Sequence, residues 1–319
     1  MLKTYDVLII GGGPAGLSIA TGLARQLYTS VVLDSGIYRN ERATHMHNVP
    51  GFDHVNPAIY RAKAKQDLQK RYDTIDFVST KIQTVGKVAD LFEAVDDQGK
   101  TYQGRKLALG TGVRDVVEDQ AEGYAECWGR SIFHCLFCHG YEERGANSVG
   151  ALATGALSSP ESLVFVARMA KRLANHVNIY TNGNPELITS AKAIIHSNKI
   201  AYDDRMIIKF EHQDGSEDEP PFVVLHFEDG TSKKEGFVVS HPRAEQRAPF
   251  ADQLGLEMMP AGGIKLSMPF NETSLPGCVA AGDAGTPMQA VVQAVQMGAF
   301  AAVGLVDQLQ RELDEKGQL

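Results

Sequence analysis

The chain has 319 residues, 43% hydrophobic and 22% charged, which excludes a collagen-like or disordered chain and gives a prior of about two domains. A formal net charge of −8 removes the general positive field that phosphate backbones require of a nucleic-acid partner. Four cysteines are too few to scaffold a chain of this size, and no run of about 18 residues free of charged or strongly polar groups marks a membrane span.

Near the N-terminus Asp6 interrupts any signal-peptide core, so the expectation is a cytoplasmic protein. Residues 5–10, Tyr-Asp-Val-Leu-Ile-Ile, read as a buried parallel strand. Gly11-Gly12-Gly13-Pro14-Ala15-Gly16 follows, then a helical pattern over Leu17–Gln26 and a second strand over Thr29–Leu33, ended by Asp34. In this G-x-G-x-x-G, Gly11 allows a tight turn, Gly13 admits a pyrophosphate, and Gly16 lets the helix pack on the strand. The helix start offers free N–H groups and a positive dipole end to the phosphates. Asp34, eighteen residues after Gly16, is placed to accept hydrogen bonds from a ribose, which favours FAD or NAD. A charged helix over Ala58–Arg71 and alternating segments at 75–79, 91–95 and 101–109 continue the first domain. Leu109-Gly110-Thr111-Gly112 fits the strand-end turn before a crossing to a second domain.

Cys135-Leu136-Phe137-Cys138-His139 is the next motif. Zinc needs four ligands, and the flanking His134 and His139 lie too near the pair in sequence to converge on one ion, so no metal is expected. A c-type haem attachment needs an exported protein and a different fold. Buried structural cysteines and a redox dithiol remain as readings, and the dithiol is preferred. Cysteines three apart at a helix start lie close enough to bridge, and the local field there lowers a thiol pKa. His139 adjoins the pair and is the first choice of acid/base, with His134 second. Trp128, Phe133 and Phe137 could line an apolar substrate face or belong to the core.

From Ser148 to Tyr180 the pattern reads strand, glycine turn, helix through Arg172, and strand Val177–Tyr180. In Gly150-Ala151-Leu152-Ala153-Thr154-Gly155, Leu152 stands where the pyrophosphate-admitting glycine belongs. Thr181-Asn182-Gly183-Asn184 holds no Arg or Lys for a 2′-phosphate, so this unit reads as a scaffold without nicotinamide. Hairpins are expected over 205–240, with Asp214–Glu219 as a solvated loop. After about residue 245, short strands lead to Gly282-Asp283; Thr286 and Pro287 then suit the N-cap and first turn of a helix to about Glu312. Asp283 is available to a sugar-like hydroxyl chain, which, paired with the first glycine motif, points to FAD and its ribityl.

The order of Gly11/Gly13/Gly16, Asp34, Gly110-Thr111-Gly112, Cys135-x-x-Cys138, the second βαβ pattern and Gly282-Asp283 resembles the low-molecular-weight thioredoxin reductases over essentially the whole chain. Within them it is most similar to the fungal gliotoxin-type FAD-dependent dithiol oxidases. The segments His45–Val49, Gly123–Trp128 and His134–Cys138 carry that closer likeness. The resemblance implies an α/β fold of two Rossmann-like three-layer (ββα) domains. Residues 1–115 and 245–319 would bind FAD, and 116–244 would form an inserted NAD(P)-binding-like domain with the redox pair. It implies cofactor contacts from Gly11, Gly13, Pro14, Ala15, Gly16, Asp34, Ser35, Arg39, His47, Asn48, Gly110, Thr111, Gly112, Gly282, Asp283, Gln289 and Ala290. Cys135, Cys138, His139 and His134 would be catalytic, in a homodimer.

The implied reaction oxidises a small-molecule dithiol of the epidithiodioxopiperazine type to its disulfide. A substrate thiolate attacks Cys135, the second thiol releases the product, Cys138 passes the electrons to the flavin, and O2 takes them to give H2O2. One departure from the thioredoxin reductases is His139, where an Asp proton donor usually stands. An NADPH-driven disulfide reductase is the alternative activity, and Leu152 weighs against it. A non-catalytic flavin-binding protein is a third reading, against which the intact cysteine pair weighs.

Overall fold

Strand β1 (Thr4–Ile10), helix α1 (Pro14–Arg25) and strand β2 (Ser30–Asp34) open the chain in a computed structural model that describes residues 2–319. Helix α2 (Pro57–Arg71) follows, then β3 (Ile75–Ser79), β4 (Ile82–Val88), β5 (Leu91–Asp96), β6 (Thr101–Leu109) and β7 (Val113–Asp115). The middle of the chain contributes α3 (Tyr124–Cys127), β8 (Ile132–Phe133), β9 (Ala146–Gly155), α4 (Pro160–Leu173), β10 (Ala174–Tyr180) and α5 (Pro185–Ile194). Strands β11 (Ile200–Asp203), β12 (Ile207–Gln213), β13 (Phe222–Phe227), β14 (Ser232–Glu235) and β15 (Val238–His241) complete it. The last stretch carries β16 (Ala244–Gln246), α6 (Phe250–Gln253), β17 (Cys278–Ala280) and α7 (Val291–Glu315). Two units result: one of residues Met1–Arg114 and Glu245–Leu319, the other of Asp115–Ala244.

In the first unit one sheet runs β3-β2-β1-β6-β5-β4. The amino-terminal half of β6 pairs antiparallel with β5, and its carboxyl end, Leu107–Leu109, pairs parallel with β17. The apolar run of β1 follows from burial on both faces. Val7 and Ile9 enter one core cluster with α1 and α7, while Leu8 and Ile10 enter another beneath β4, β5 and α6. The registers align the carboxyl ends: Ile10 lies opposite both Leu33 and Leu109, and Leu109 opposite Ala280. The turns after β1, β2, β6 and β17 therefore open on one edge of the sheet.

Helices α1 and α7 cross on small residues. A Cβ on Gly22 would stand 2.5 Å from the Cβ of Ala302, and one on Gly298 would stand 2.5 Å from the carbonyl oxygen of Ala15. Ser18 Oγ donates to the Val295 carbonyl at 2.7 Å, so the close approach also satisfies a polar group. By length and composition α7 could span a bilayer, but here Met297, Ala301, Leu305 and Leu309 fill the core beside α1. Helix α7 begins at Val291 with Ala290 as its N-cap residue, not at Pro287. The Thr286 hydroxyl instead closes a local turn by accepting from the Met288 N–H at 3.1 Å, the competing use of such side chains.

In the second unit a parallel sheet runs β11-β10-β9-β15-β8, and β12-β13-β14 form an antiparallel one, as the hairpin pattern predicts. Val149 and Ala151 of β9 face the cluster under α4, and Leu152 faces the cluster around Tyr124 and Phe210. This corrects the reading of the second glycine motif. Gly150 through Gly155 are all strand, and Leu152 is a buried core residue. The strand-to-helix turn comes later, at Gly155-Ala156-Leu157-Ser158-Ser159, before Pro160. Helix α5 escapes the sequence reading; Asn184 caps it, accepting from the Leu187 N–H at 3.1 Å. Asp214–Glu219 is an exposed turn, tied at its ends by Arg130–Asp214 and Lys234–Glu219 ion pairs.

Candidate active site

At the carboxyl edge of the first unit, three glycines interlock. A Cβ on Gly11 would stand 2.3 Å from the Gly110 carbonyl oxygen, and one on Gly16 would stand 1.9 Å from the Gly11 carbonyl oxygen. Gly11 also has φ +112°, a region that favours glycine. Gly13 is different: a Cβ there would meet nothing within 4 Å. It opens onto the start of α1, which has no side-chain cap and no acid in its first turn. Pro14 gives up a donor that a helix start cannot use internally, and the first amides of a helix have no acceptor within it. Gly12 lies under Asp34, whose Oδ2 would be 2.2 Å from a Cβ on it.

Asp34 is held by two donors. Its Oδ1 accepts from the Gly36 N–H at 3.1 Å, and its Oδ2 accepts from the Tyr38 hydroxyl at 2.5 Å. Ser35 Oγ accepts from the Ile37 N–H at 3.4 Å in the same turn. Arg39 reaches across the sequence to the segment after β17: Nη1 lies 2.9 Å from Asp283 Oδ2 and 2.5 Å from Gln289 Oε1. Gly282, with φ +81°, packs on Ala15 and Ala294. Thr111 joins Gly110 to Gly112, whose carbonyl accepts from Arg247 N–H at 3.2 Å. Ala290 accepts the first hydrogen bond of α7 from Ala294. His47 and Asn48 lie in the loop before α2, where His47 Nε2 is 3.1 Å from His54 Nδ1 and the Asn48 N–H donates to Asp53 at 3.0 Å.

These residues fit FAD. An uncapped helix start beside an open Gly13 suits a pyrophosphate, since the amides and the helix dipole would face its charge. Asp34 would take a ribose, and Asp283, neutralised by Arg39, would face the ribityl side.

The second unit holds the sulfurs. Cys135 and Cys138 form a disulfide with Cα atoms 5.2 Å apart. They do not start a helix, contrary to the expectation from their spacing. The pair sits in a turn after β8, closed by Cys138 N–H and His139 N–H donating to the Cys135 carbonyl, both at 3.1 Å. The helix-dipole contribution to thiol acidity is therefore absent from this segment. Leu136 is buried and anchors the turn, while Phe137 between the sulfurs is 68% exposed.

Aromatic rings fix the imidazoles. His139 stacks on Phe133 with centroids 5.1 Å apart and planes 4° apart. His134 stacks on Trp128 at 5.7 Å and meets His241 at 5.8 Å on a tilted contact. His241 is invisible to local sequence reading. It arrives through the register of β15 on β8, where Val239 lies opposite Phe133, so both strands leave the sheet at the same edge. Tyr38 and Arg61 escape for the same reason; neither belongs to a motif, and Arg61 stacks 3.8 Å from the Tyr38 ring only in the fold. Cys127 and Cys278 are free and buried, and burial pushes both thiols up, Cys278 to about 12, which makes them inert.

The start of α4 differs from that of α1. Both begin with a proline, but Ser159 Oγ accepts from the Ser162 N–H at 3.2 Å, and Glu161 puts a negative charge in the first turn. Leu157, where the second glycine of a phosphate turn would stand, is 3% exposed and packs in the core.

The family model for pyridine nucleotide-disulphide oxidoreductases matches residues 5–151. A protein named thioredoxin reductase aclD, from Aspergillus oryzae, is 43% identical over 318 residues, 98% of each chain. Thioredoxin reductase sirT from Leptosphaeria maculans is 40% identical, covering 94% of this chain and 93% of its own. Among solved structures, an oxidoreductase from Agrobacterium tumefaciens superposes with a TM-score of 0.83 at 26% identity, covering 97% of this chain and 99% of its own. With the glycine cradle of the first unit and the disulfide of the second, these likenesses identify the chain as a member of the thioredoxin reductase-like, FAD-binding enzymes of the pyridine nucleotide-disulphide oxidoreductase class.

Proposed function

We propose that the enzyme oxidises the two thiols of a small molecule to a disulfide at Cys135–Cys138, with O2 as the final acceptor and no nicotinamide dinucleotide. The observation that carries this reading is the closed start of α4. A nicotinamide dinucleotide on a Rossmann-like unit seats its pyrophosphate on free amides at a glycine turn. Here Ser159 takes one amide, Glu161 repels the anion, and Leu157 replaces the glycine. The turn after β10, Thr181–Asn184, supplies no cation either. Electrons must then enter from the other reactant, the dithiol.

A substrate thiolate attacks the Cys135 sulfur, the Cys135–Cys138 bond breaks, and Cys138 leaves as a thiolate. The second substrate thiol, deprotonated, attacks the sulfur bonded to Cys135, releasing the cyclic disulfide and a Cys135 thiolate. His139, its ring held flat on Phe133, takes the substrate proton, and His134 is the second candidate. The chemistry supplied by bound FAD is transfer of the resulting electron pair to O2 with release of H2O2. Overall, dithiol and O2 become disulfide and H2O2. The apolar surface offered by Phe137 matches a compact organic dithiol of the epidithiodioxopiperazine type.

The names of the relatives favour the alternative, an NADPH-driven disulfide reductase. Anaerobic mixing separates the two. Our reading expects the flavin absorbance to bleach with a small dithiol and to persist with NADPH. Rapid bleaching by NADPH would establish the alternative.

A further inference from the structure

Asp34 does not stand alone at the end of β2. Its carboxylate has about four lone-pair sites, and two are taken: Oδ1 by the Gly36 N–H at 3.1 Å and Oδ2 by the Tyr38 hydroxyl at 2.5 Å. A vicinal diol can use the two that remain. The phenol is fixed in turn. The Arg61 guanidinium lies 3.8 Å from the Tyr38 ring centroid, and its Nη1 donates to Asn40 Oδ1 at 3.1 Å. Arg61 belongs to α2, whose start is set by Asn56 accepting from the Ala58 N–H at 2.8 Å. A chain of contacts thus runs from a capped helix through a cation–π pair to the carboxylate.

We propose that Tyr38 and Arg61 are positioning residues for the adenosine half of FAD, presetting the Asp34 carboxylate to receive the ribose diol. The inference rests on Asp34 as the ribose acceptor. Without the phenol, Asp34 keeps only the Gly36 amide and its carboxylate can rotate; ordering it would then fall on the bound cofactor. Without Arg61, the Tyr38 ring loses the cation that covers one face, worth more when desolvated, and Arg61 is partly buried.

The experiment compares two flavins on the full-length protein stripped of cofactor and titrated by flavin fluorescence. FAD carries the adenosine; FMN lacks it. Tyr38→Phe keeps the ring and removes only the hydroxyl, so FAD affinity should fall by up to about tenfold, the cost of ordering one side chain that the cofactor must then bear. FMN affinity should stay unchanged. Arg61→Ala should act the same way, and Arg61→Lys, which restores a cation, should recover part of the loss. In the Asp34→Asn background Tyr38→Phe should cost less than in the wild type, because the two act through one contact. FAD binding unaltered by Tyr38→Phe would overturn the proposal. So would an equal loss of FAD and FMN, which would assign Tyr38 to the general stability of the loop.

Discussion

One added methyl group has opposite meanings at Gly13 and Gly16. At Gly13 the space is open, so Gly13→Val should fold with a melting temperature close to that of the flavin-free wild type and purify colourless, its side chain filling the pyrophosphate seat. At Gly16 a Cβ would meet the Gly11 carbonyl at 1.9 Å, so Gly16→Ala should lose soluble protein as well as flavin. Absorbance near the flavin bands, beside a thermal melt, distinguishes the two; flavin at full occupancy in Gly13→Val would displace the phosphates from our site. The sulfurs give a second test. Both Cys135→Ser and Cys138→Ser should abolish turnover, since a disulfide needs two sulfurs. Given the cyclic disulfide product instead, only Cys138→Ser should form a covalent adduct: its Cys135 thiolate opens the product S–S bond to a mixed disulfide detectable by intact mass. An adduct on Cys138 in the Cys135→Ser protein instead would reverse the assigned order. At this scale the sequence is informative where a motif ties residue type to chemistry: Gly11, Gly13, Gly16, Asp34 and the cysteine pair are all readable. Tyr38, Arg61 and His241 are not, because their partners are set by register and loop closure rather than spacing.

Helix starts and crossings decide what the elements can hold. The starts of α1 and α4 follow β-strands in the same way and both begin with a proline, yet one has no side-chain cap and no acid in its first turn, and the other is capped and acidic. Sequence reasoning places the contrast on the wrong leucine. β-branched and small apolar residues alone do not show that β9 runs on through Gly155, so Leu152 takes the place in the turn that belongs to Leu157. The start of α7 is misplaced for a similar reason; Thr286 and Pro287 have the right chemistry for a helix start, but a local turn claims the threonine. The α1–α7 crossing tests the packing argument. Gly298→Val should cost about 1–3 kcal/mol of stability by overpacking and loosen FAD, because α7 follows the Asp283–Ala290 segment directly. Chemical denaturation and flavin release measure the two effects; wild-type values for both would contradict the crossing.

A buried carboxyl links three strands of the second unit. Glu235 on β14 accepts from Asn178 on β10 at 2.7 Å and from the Tyr180 hydroxyl, and Asn178 also donates to Ser148 on β9. Burial raises the Glu235 pKa above its ordinary value, against the hydrogen bonds that lower it. The folded chain therefore holds this proton more tightly than the unfolded one. The stability gained is fully present below the unfolded carboxyl pKa and is lost as pH rises through the folded value. Glu235→Gln should remove that component, so its melting temperature should fall less between acidic and neutral pH than that of the wild type. A pH profile parallel to the wild type would contradict the assignment.

Across the whole molecule, the chain divides at Arg114/Asp115 and Ala244/Glu245 into a unit with a glycine cradle at its sheet edge and a unit that carries a disulfide. The α/β architecture is legible because strands buried on both faces require continuous apolar runs, as at residues 7–10 and 149–152, and glycine turns punctuate those runs where helices begin. The antiparallel sheet β12-β13-β14 is legible only as hairpins, since alternation does not say which strands pair. The central claim is that electrons come from a small dithiol and leave to O2. The most direct measurement is oxygen consumption by the purified holoenzyme given a small cyclic dithiol and no nicotinamide. We predict steady uptake, one H2O2 formed per disulfide, abolished by Cys135→Ser; no uptake with the dithiol, together with turnover on NADPH and a disulfide, would contradict the claim.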